Sequence, residues 1–401
     1  MKRLAHILLF LLPFHAVLAT FLRFEVGLEN AWLWKELLLI LLFIINLGFQ
    51  ELKDLKSAFS NKLSLLIVGY SVFLAISVLW APDISLMRLF LGAKYDVFLF
   101  VALFAGLSFG SLSKKDFEEM LKWTFFGGLA AFVFGLFLHF VVRPENFTMF
   151  GYRNDWSTHI AGDAPAFCQK IENSELCRFQ GTFAGPNQAA FYALLFIPIC
   201  VHFLKRYKQL AMVGIIAAVS ALFFTFSRSG WLAFGLELVL ILTLMVKVDK
   251  KYLKAALGTL LILGVIAVLA MPDLVLRPLS NSEHLSQWMQ GLRVFINSPI
   301  YGFGLGTAGP ASRLLAEIAV IPESWFLQLA IEGGIIAAGL FIAIYYELLK
   351  RLWKDIKGVG LVFIIVLFAL LIPSQLLHVF EDSSLTYSLF FLLGMKLVAK
   401  A

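Results

Sequence analysis

Twelve apolar stretches, each close to the roughly 20 residues that a helix needs to cross a bilayer, decide what this chain can fold into. They lie near 4–22, 34–50, 63–81, 93–110, 121–142, 186–204, 209–227, 230–248, 252–271, 326–349, 358–379 and 383–399. Backbone N–H and C=O groups cannot be left unpaired in hydrocarbon, so unbroken apolar runs of this length fold as helices. The sequence therefore predicts an all-α polytopic membrane protein with about 12 transmembrane helices. It reads as a single membrane domain over 1–401, with two long connections at 143–185 and 272–325. Hydrophobic residues make up 60% of the chain and charged residues 15%, which excludes an ordinary soluble domain. There is no repeat, no low-complexity tract and no separate soluble domain.

Lysine and arginine bias gives the orientation. With both termini in the cytoplasm, every inner loop is basic, from Lys2 and Arg3 through Lys114, Lys205, Lys250 and Lys354 to Lys396. The inner loops then hold 21 of the 33 Lys and Arg residues, and the two long connections face outward. The pI near 9.2 is on this reading a topology signal and no sign of nucleic-acid binding. The first span resembles a signal peptide, with Lys2-Arg3, an apolar run and Ala16-Val17-Leu18-Ala19. A retained first helix is the preferred reading. Cys200 lies within a span as a small packing residue. Cys168 and Cys177 share the first long outer loop, where a disulfide and two free thiols are both open.

Unusual polar residues crowd the outer boundary. Arg228, in Phe226-Ser227-Arg228-Ser229-Gly230, sits in a tight turn between two spans. The two serines, the exposed N–H groups and the positive end of the next helix make a small anion site there, and a guanidinium fork suits two phosphate oxygens. The simpler alternative is an arginine snorkelling to lipid headgroups. The first long loop ends in Arg178-Phe179-Gln180-Gly181-Thr182-Phe183-Ala184-Gly185-Pro186-Asn187-Gln188. Asn187 and Gln188 are amides in the first turn of a spanning helix, where capping and contact with sugar or phosphate are equally open.

The second long loop contains His284 and Trp288, four residues apart and so on one helical face with Gly291. It continues into Gly302-Phe303-Gly304-Leu305-Gly306. That run lacks the preceding strand and the spacing of a dinucleotide fingerprint, so its glycines are read as tight backbone turns. Glu323 stands at the start of the tenth span, either as a helix-start carboxylate or as a general base. Glu332 lies deeper and must be paired or protonated. His378, Glu381 and Asp382 form another outer polar cluster. No spacing of His, Cys, Asp and Glu is a recognisable metal ligand set, and no nucleotide fingerprint or serine-nucleophile motif is present. An outward-facing enzyme of this composition would need a substrate that is already activated.

Phe226-Ser227-Arg228-Ser229-Gly230, the run from Trp288 to Ser298-Pro299-Ile300-Tyr301-Gly302-Phe303-Gly304, and Trp325-Phe326-Leu327-Gln328 with Glu332-Gly333 together resemble the O-antigen ligase and polymerase family of membrane glycosyltransferases. The span layout agrees over most of the chain, and the specific likeness covers about 180–334. The resemblance implies a GT-C-like fold in the bacterial inner membrane and an extracytoplasmic active site. It further implies metal-independent, inverting transfer of a glycan from an undecaprenyl-diphosphate carrier to a glycan or glycolipid acceptor, without cofactor or nucleic acid. Arg228 matches the family's boundary arginine, the expected diphosphate ligand. Where ligases carry a second Arg four residues before the loop tryptophan, this chain has His284. Where they carry His at the head of the next motif, it has Glu323. His284 is thus expected to join Arg228 at the diphosphate, with Glu323 as the catalytic base. Arg178, Asn187, Gln188, Trp288, Trp325 and His378 are candidate substrate contacts.

A transporter or flippase for the same lipid class is the alternative. It would set polar residues along a path through the bilayer, whereas here they gather at one boundary.

Overall fold

The computed structural model describes residues 1–401 except 50–58, 143, 157–162, 172–173, 256–257, 260–261, 263–268, 270–271, 273–275, 316–318 and 400–401. Its helices in chain order are α1 (Lys2–Leu11), α2 (His15–Phe24), α3 (Trp34–Phe49), α4 (Lys62–Ser77), α5 (Leu86–Asp96), α6 (Phe98–Leu107), α7 (Lys114–Phe140), α8 (Pro186–Phe203), α9 (Lys208–Phe224), α10 (Arg228–Leu240), α11 (Pro278–Asn297), α12 (Gly309–Leu315), α13 (Trp325–Trp353), α14 (Gly360–Ser374) and α15 (Ser383–Val398).

Among the described residues, seven helices or joined helices are long and apolar enough to cross a membrane: Lys2–Phe24, Ala31–Phe49, Lys62–Trp80, Lys114–Phe140, Pro186–Phe203, Arg228–Met245 and Trp325–Trp353. The pair α5 and α6 makes an eighth if its 59° bend is counted within one span. Three of the expected spans appear as the shorter apolar helices α9, α14 and α15. The expected span at 252–271 lies largely outside the described residues. The chain is a helical, multi-pass membrane protein. Its bends have local causes: Pro13 sits where α1 gives way to a 3-10 turn, and Gly333-Gly334 interrupt α13 with non-helical dihedrals.

The two long connections differ from plain loops. In the first, β1 (Arg153–Trp156) and β2 (Ala166–Cys168) form a short two-stranded parallel pairing beside the otherwise helical elements. Cys168 and Cys177 are joined in a disulfide, which settles the choice left open by the sequence. The residues that follow the disulfide-closed segment are held to the bundle: the Thr182 hydroxyl donates to the Pro13 carbonyl at 2.8 Å, and the Phe179 N–H donates to the Phe224 carbonyl at 2.8 Å. In the second, the residues expected as loop build the 20-residue helix α11, whose Pro278 occupies the first turn as helix-start chemistry favours.

The Gly302–Gly306 segment inserts into the break in α13. Gly302, Gly304 and Gly306 all have positive φ. The N–H groups of Phe303 and Gly304 donate to the carbonyls of Ile331 and Glu332, each at 2.8 Å. The Glu332 carboxylate in turn accepts from the N–H groups of Gly306 and Ala308, both at 3.1 Å. Glu332 is completely buried and serves as a clamp that fixes the segment between α11 and α13.

Candidate functional site

The turn between α9 and α10 is three residues long, Thr225-Phe226-Ser227; two arginines bond to it and a third follows it. Phe226 takes a left-handed backbone at φ 50°, which lets the chain reverse within so few residues and turns its carbonyls outward. Arg178 Nε donates to the Thr225 carbonyl at 2.8 Å, and its Nη2 donates to Asn187 Oδ1 at 3.1 Å. Arg277, the residue before α11, donates to the Phe226 carbonyl at 2.5 Å. Arg228 opens α10 and reaches the start of α11, donating to the Leu276 carbonyl at 2.6 Å and to Ser280 Oγ at 3.3 Å.

These groups line one cavity of about 570 Å³ with Ser227, Ser229, His284, Trp288 and Glu323. Arg178, Arg228 and Arg277 therefore point like charge into a common space. Burial, with help from the Arg277 and Arg228 guanidinia, pushes the Arg178 pKa down to about 9, which leaves it cationic at neutral pH. The N-terminus of α10 adds its positive dipole end beside Ser227 and Ser229. Guanidinia gathered around one space favour an anion there, since each can present planar donors to anionic oxygens. The cavity wall is also partly apolar: Leu232, Leu285 and Leu376 line it and are exposed. A polar, cationic floor beside exposed leucines suits an anion that carries a hydrocarbon chain.

Glu323 faces the same cavity. Its backbone is left-handed, at φ 48°, an uncommon conformation for a side chain without a local partner for it. The helix cap is supplied by the next residue, Ser324, whose side chain accepts from the Leu327 N–H. The carboxylate of Glu323 is thus not spent as a cap and is turned toward α11, where Oε2 lies 3.4 Å from His284 Nδ1. Strained, non-capping geometry of this kind clusters at functional positions. Gly291 fixes the spacing: a Cβ there would lie 2.6 Å from the Cβ of Pro322, so only glycine lets α11 pack this closely against the residues before α13.

A second cavity of about 540 Å³ meets the first. It is lined by Tyr95, Gln169, Gln188, Arg313, His378, Glu381 and Asp382 among others, and it shares Asn187, Glu323 and Leu377 with the arginine cavity. Glu323 is therefore reachable from both sides. Burial holds the His378 pKa down at about 4 and pushes the Glu381 carboxyl well above the usual carboxylate range. Burial thus leaves the His378 imidazole neutral at neutral pH and disfavours the charged form of the Glu381 carboxyl.

The residues singled out in the sequence distribute as follows. Arg228, His284, Trp288 and Arg178 line the first cavity, Gln188 and His378 the second, and Asn187 and Glu323 both. Trp325 lines neither. It is fully buried and packs edge-on against Phe341 and Phe380, each at 5.6 Å between ring centroids, so the expected substrate contact is corrected to a core role. Arg277 was missed. Its signal was weak but present: an arginine directly before a helix-starting proline, seven residues ahead of His284. It lines the same cavity as His284. Among the described residues, no group of three His, Cys, Asp or Glu side chains is placed to hold a metal ion.

No curated protein matches the chain. Residues 211–342 match the family model for O-antigen ligase, a segment that starts within α9, ends within α13 and contains Arg228, Arg277, His284 and Glu323. Over that segment, about a third of its length, the chain is similar to the O-antigen ligase family.

Proposed function

We propose that this protein transfers a glycan from an undecaprenyl-diphosphate carrier to a sugar hydroxyl of a glycan or glycolipid acceptor, on the outer face of the bacterial inner membrane. The observation that carries the reading is that Arg178, Arg228 and Arg277 line one cavity with leucines along its wall. A lipid diphosphate has the two properties this cavity selects: several phosphate oxygens for planar guanidinium forks, and a prenyl chain for the apolar wall.

In the reaction, an acceptor hydroxyl oxygen attacks the anomeric carbon of the donor sugar. Glu323 takes the hydroxyl proton as the new C–O bond forms. The bond from the anomeric carbon to the carrier phosphate breaks with its electron pair, and undecaprenyl diphosphate leaves. Charge that develops on the leaving oxygen is met by the arginines and by the N-terminus of α10, which are already oriented and need no reorganisation. Attack opposite the leaving group gives inversion. The donor supplies its own activation, so neither nucleotide nor metal has a step here.

The transporter reading asks for polar groups leading through the bundle. The two cavities instead join at Glu323, which argues for chemistry at a fixed point. Deletion of the gene followed by analysis of surface glycans tests the proposal: single-repeat glycan would mark a polymerase, and long polymer left on the carrier lipid would mark a ligase. Unchanged glycans, with carrier and acceptor both present, would rule out either.

A further inference from the structure

The cavity on the far side of Glu323 has no part in holding the donor, yet it reaches the same carboxylate. Its chemistry is also different. Where the arginine cavity has three clustered cations and exposed leucines, this one has Tyr95, Gln188, Arg313, His378 and Glu381. Both ring nitrogens of His378 and Oε1 of Glu381 lie buried without a hydrogen-bond partner among the described residues, and the Glu381 side chain is 93% buried. The nearest approach between the two residues, 3.8 Å, is too long for a hydrogen bond. Buried polar atoms left in this state cost stability unless a ligand or water completes them.

We infer that this second cavity is the acceptor chamber, and that it takes the hydroxyl-rich, uncharged sugar end of the acceptor, which enters from the aqueous side with no hydrocarbon chain in the cavity. The inference rests on the transfer reading above and deepens it. His378 and Glu381 offer hydrogen bonds to sugar hydroxyls, Arg313 and Gln188 flank the opening, and Tyr95 gives a ring edge for a pyranose face. The attacking hydroxyl then approaches Glu323 from the chamber while the donor sugar lies on the arginine side. The proton passes to Glu323, the glycosidic bond forms across the junction, and undecaprenyl diphosphate leaves into the first cavity. The shared residues Asn187, Glu323 and Leu377 form the neck between the two substrates. Specificity for the acceptor is set by chamber residues, of which Tyr95, Gln188, His378 and Glu381 lie outside the segment that matches the family model.

The test uses the full-length protein in lipid nanodiscs and two readouts. One is binding of undecaprenyl diphosphate. The other is glycan transfer, with an envelope extract from cells lacking the gene titrated as the acceptor source. R313A and H378Q are expected to raise the half-saturating amount of extract at least tenfold while undecaprenyl diphosphate binds within twofold of wild type, and R228A is expected to do the reverse. Ala184 lines the chamber and is exposed. Cys200 is buried and the other two cysteines are bonded to each other, so A184C offers one accessible thiol. Modification of A184C with a bulky maleimide is expected to abolish transfer, compared with the same protein before reaction, and to spare carrier binding. The inference is overturned if modified A184C transfers as before, or if R313A and H378Q weaken carrier binding by the same factor as transfer. A wild-type protein that binds no undecaprenyl diphosphate would instead overturn the donor reading, and the A184C result would still decide the chamber.

Discussion

Gly291→Ala is a one-methyl change that separates the stability of α11 from the geometry of the site. On helix propensity alone the substitution stabilises α11 by about 1 kcal/mol. The added Cβ, however, would stand 2.6 Å from Pro322 Cβ and 3.0 Å from Leu327 Cδ2. Carbon atoms in ordinary contact are about 3.5–4.0 Å apart, so α11 must withdraw by roughly 1 Å. Overpacking of this kind costs about 1–3 kcal/mol, which offsets the propensity and leaves fold stability close to wild type. The catalytic consequence is larger. His284 and Glu323 face each other at 3.4 Å across this same contact, and a misplacement of about 1 Å near reacting groups costs on the order of 100-fold. Transfer by G291A should therefore fall about 10- to 100-fold, with the midpoint of thermal unfolding little changed. Ser286, exposed on the same helix, supplies the control: S286A raises propensity without meeting Pro322 and should leave transfer intact. If G291A turned over within twofold of wild type, the closeness of α11 to Pro322 would not be what sets the site.

Removing Arg228 leaves the diphosphate short of a charged partner, a loss of about 2–5 kcal/mol or roughly 30-fold and more in affinity; R228K should fall between R228A and wild type because an ammonium makes no two-pronged contact. Equal carrier affinity for R228A and wild type would refute the assignment. Glu323→Gln keeps the shape and removes the base, so turnover should drop about 10²- to 10⁴-fold with carrier affinity within twofold; normal turnover would move the base elsewhere. Arg178 directly follows Cys177, so C168S/C177S should lower the stability of that segment by about 2–3 kcal/mol and weaken carrier binding, measured by thermal unfolding and by binding of undecaprenyl diphosphate. A double variant that bound the carrier like wild type would show that Arg178 is held without the disulfide.

What could be read from the sequence tracks the reach of each signal. Apolar runs of spanning length report on their own residues, so most of the helices fell where they were expected. Their breaks were less legible: the 59° bend between α5 and α6 has no proline or glycine at it, and the break at Gly333-Gly334 receives the Gly302–Gly306 segment, a contact between distant parts of the chain. The connection at 272–325 looked like loop because α11 is polar along much of its length and lies against other residues of the site. Arg228 was legible because charge beside an apolar run is costly and therefore conspicuous. Arg277 was not, because an arginine in a polar stretch costs nothing, and only the fold carries it back to the Phe226 carbonyl. Trp325 failed in the opposite sense. Its place in a motif suggested contact with substrate, whereas the aromatic cluster with Phe341 and Phe380 claims its ring. The left-handed backbone of Glu323 leaves no trace in residue type, though it is what turns the carboxylate away from a capping role.

The central claim is chemical transfer at Glu323 rather than movement of an intact lipid. Proteoliposomes loaded with undecaprenyl-diphosphate-linked glycan and acceptor, without nucleotide, test it most directly by following where the glycan is attached. The account predicts loss of glycan from the carrier matched by its appearance on the acceptor, with wild-type protein and not with E323Q. Glycan that changes leaflet while still bound to its carrier, equally in wild type and E323Q, would contradict it.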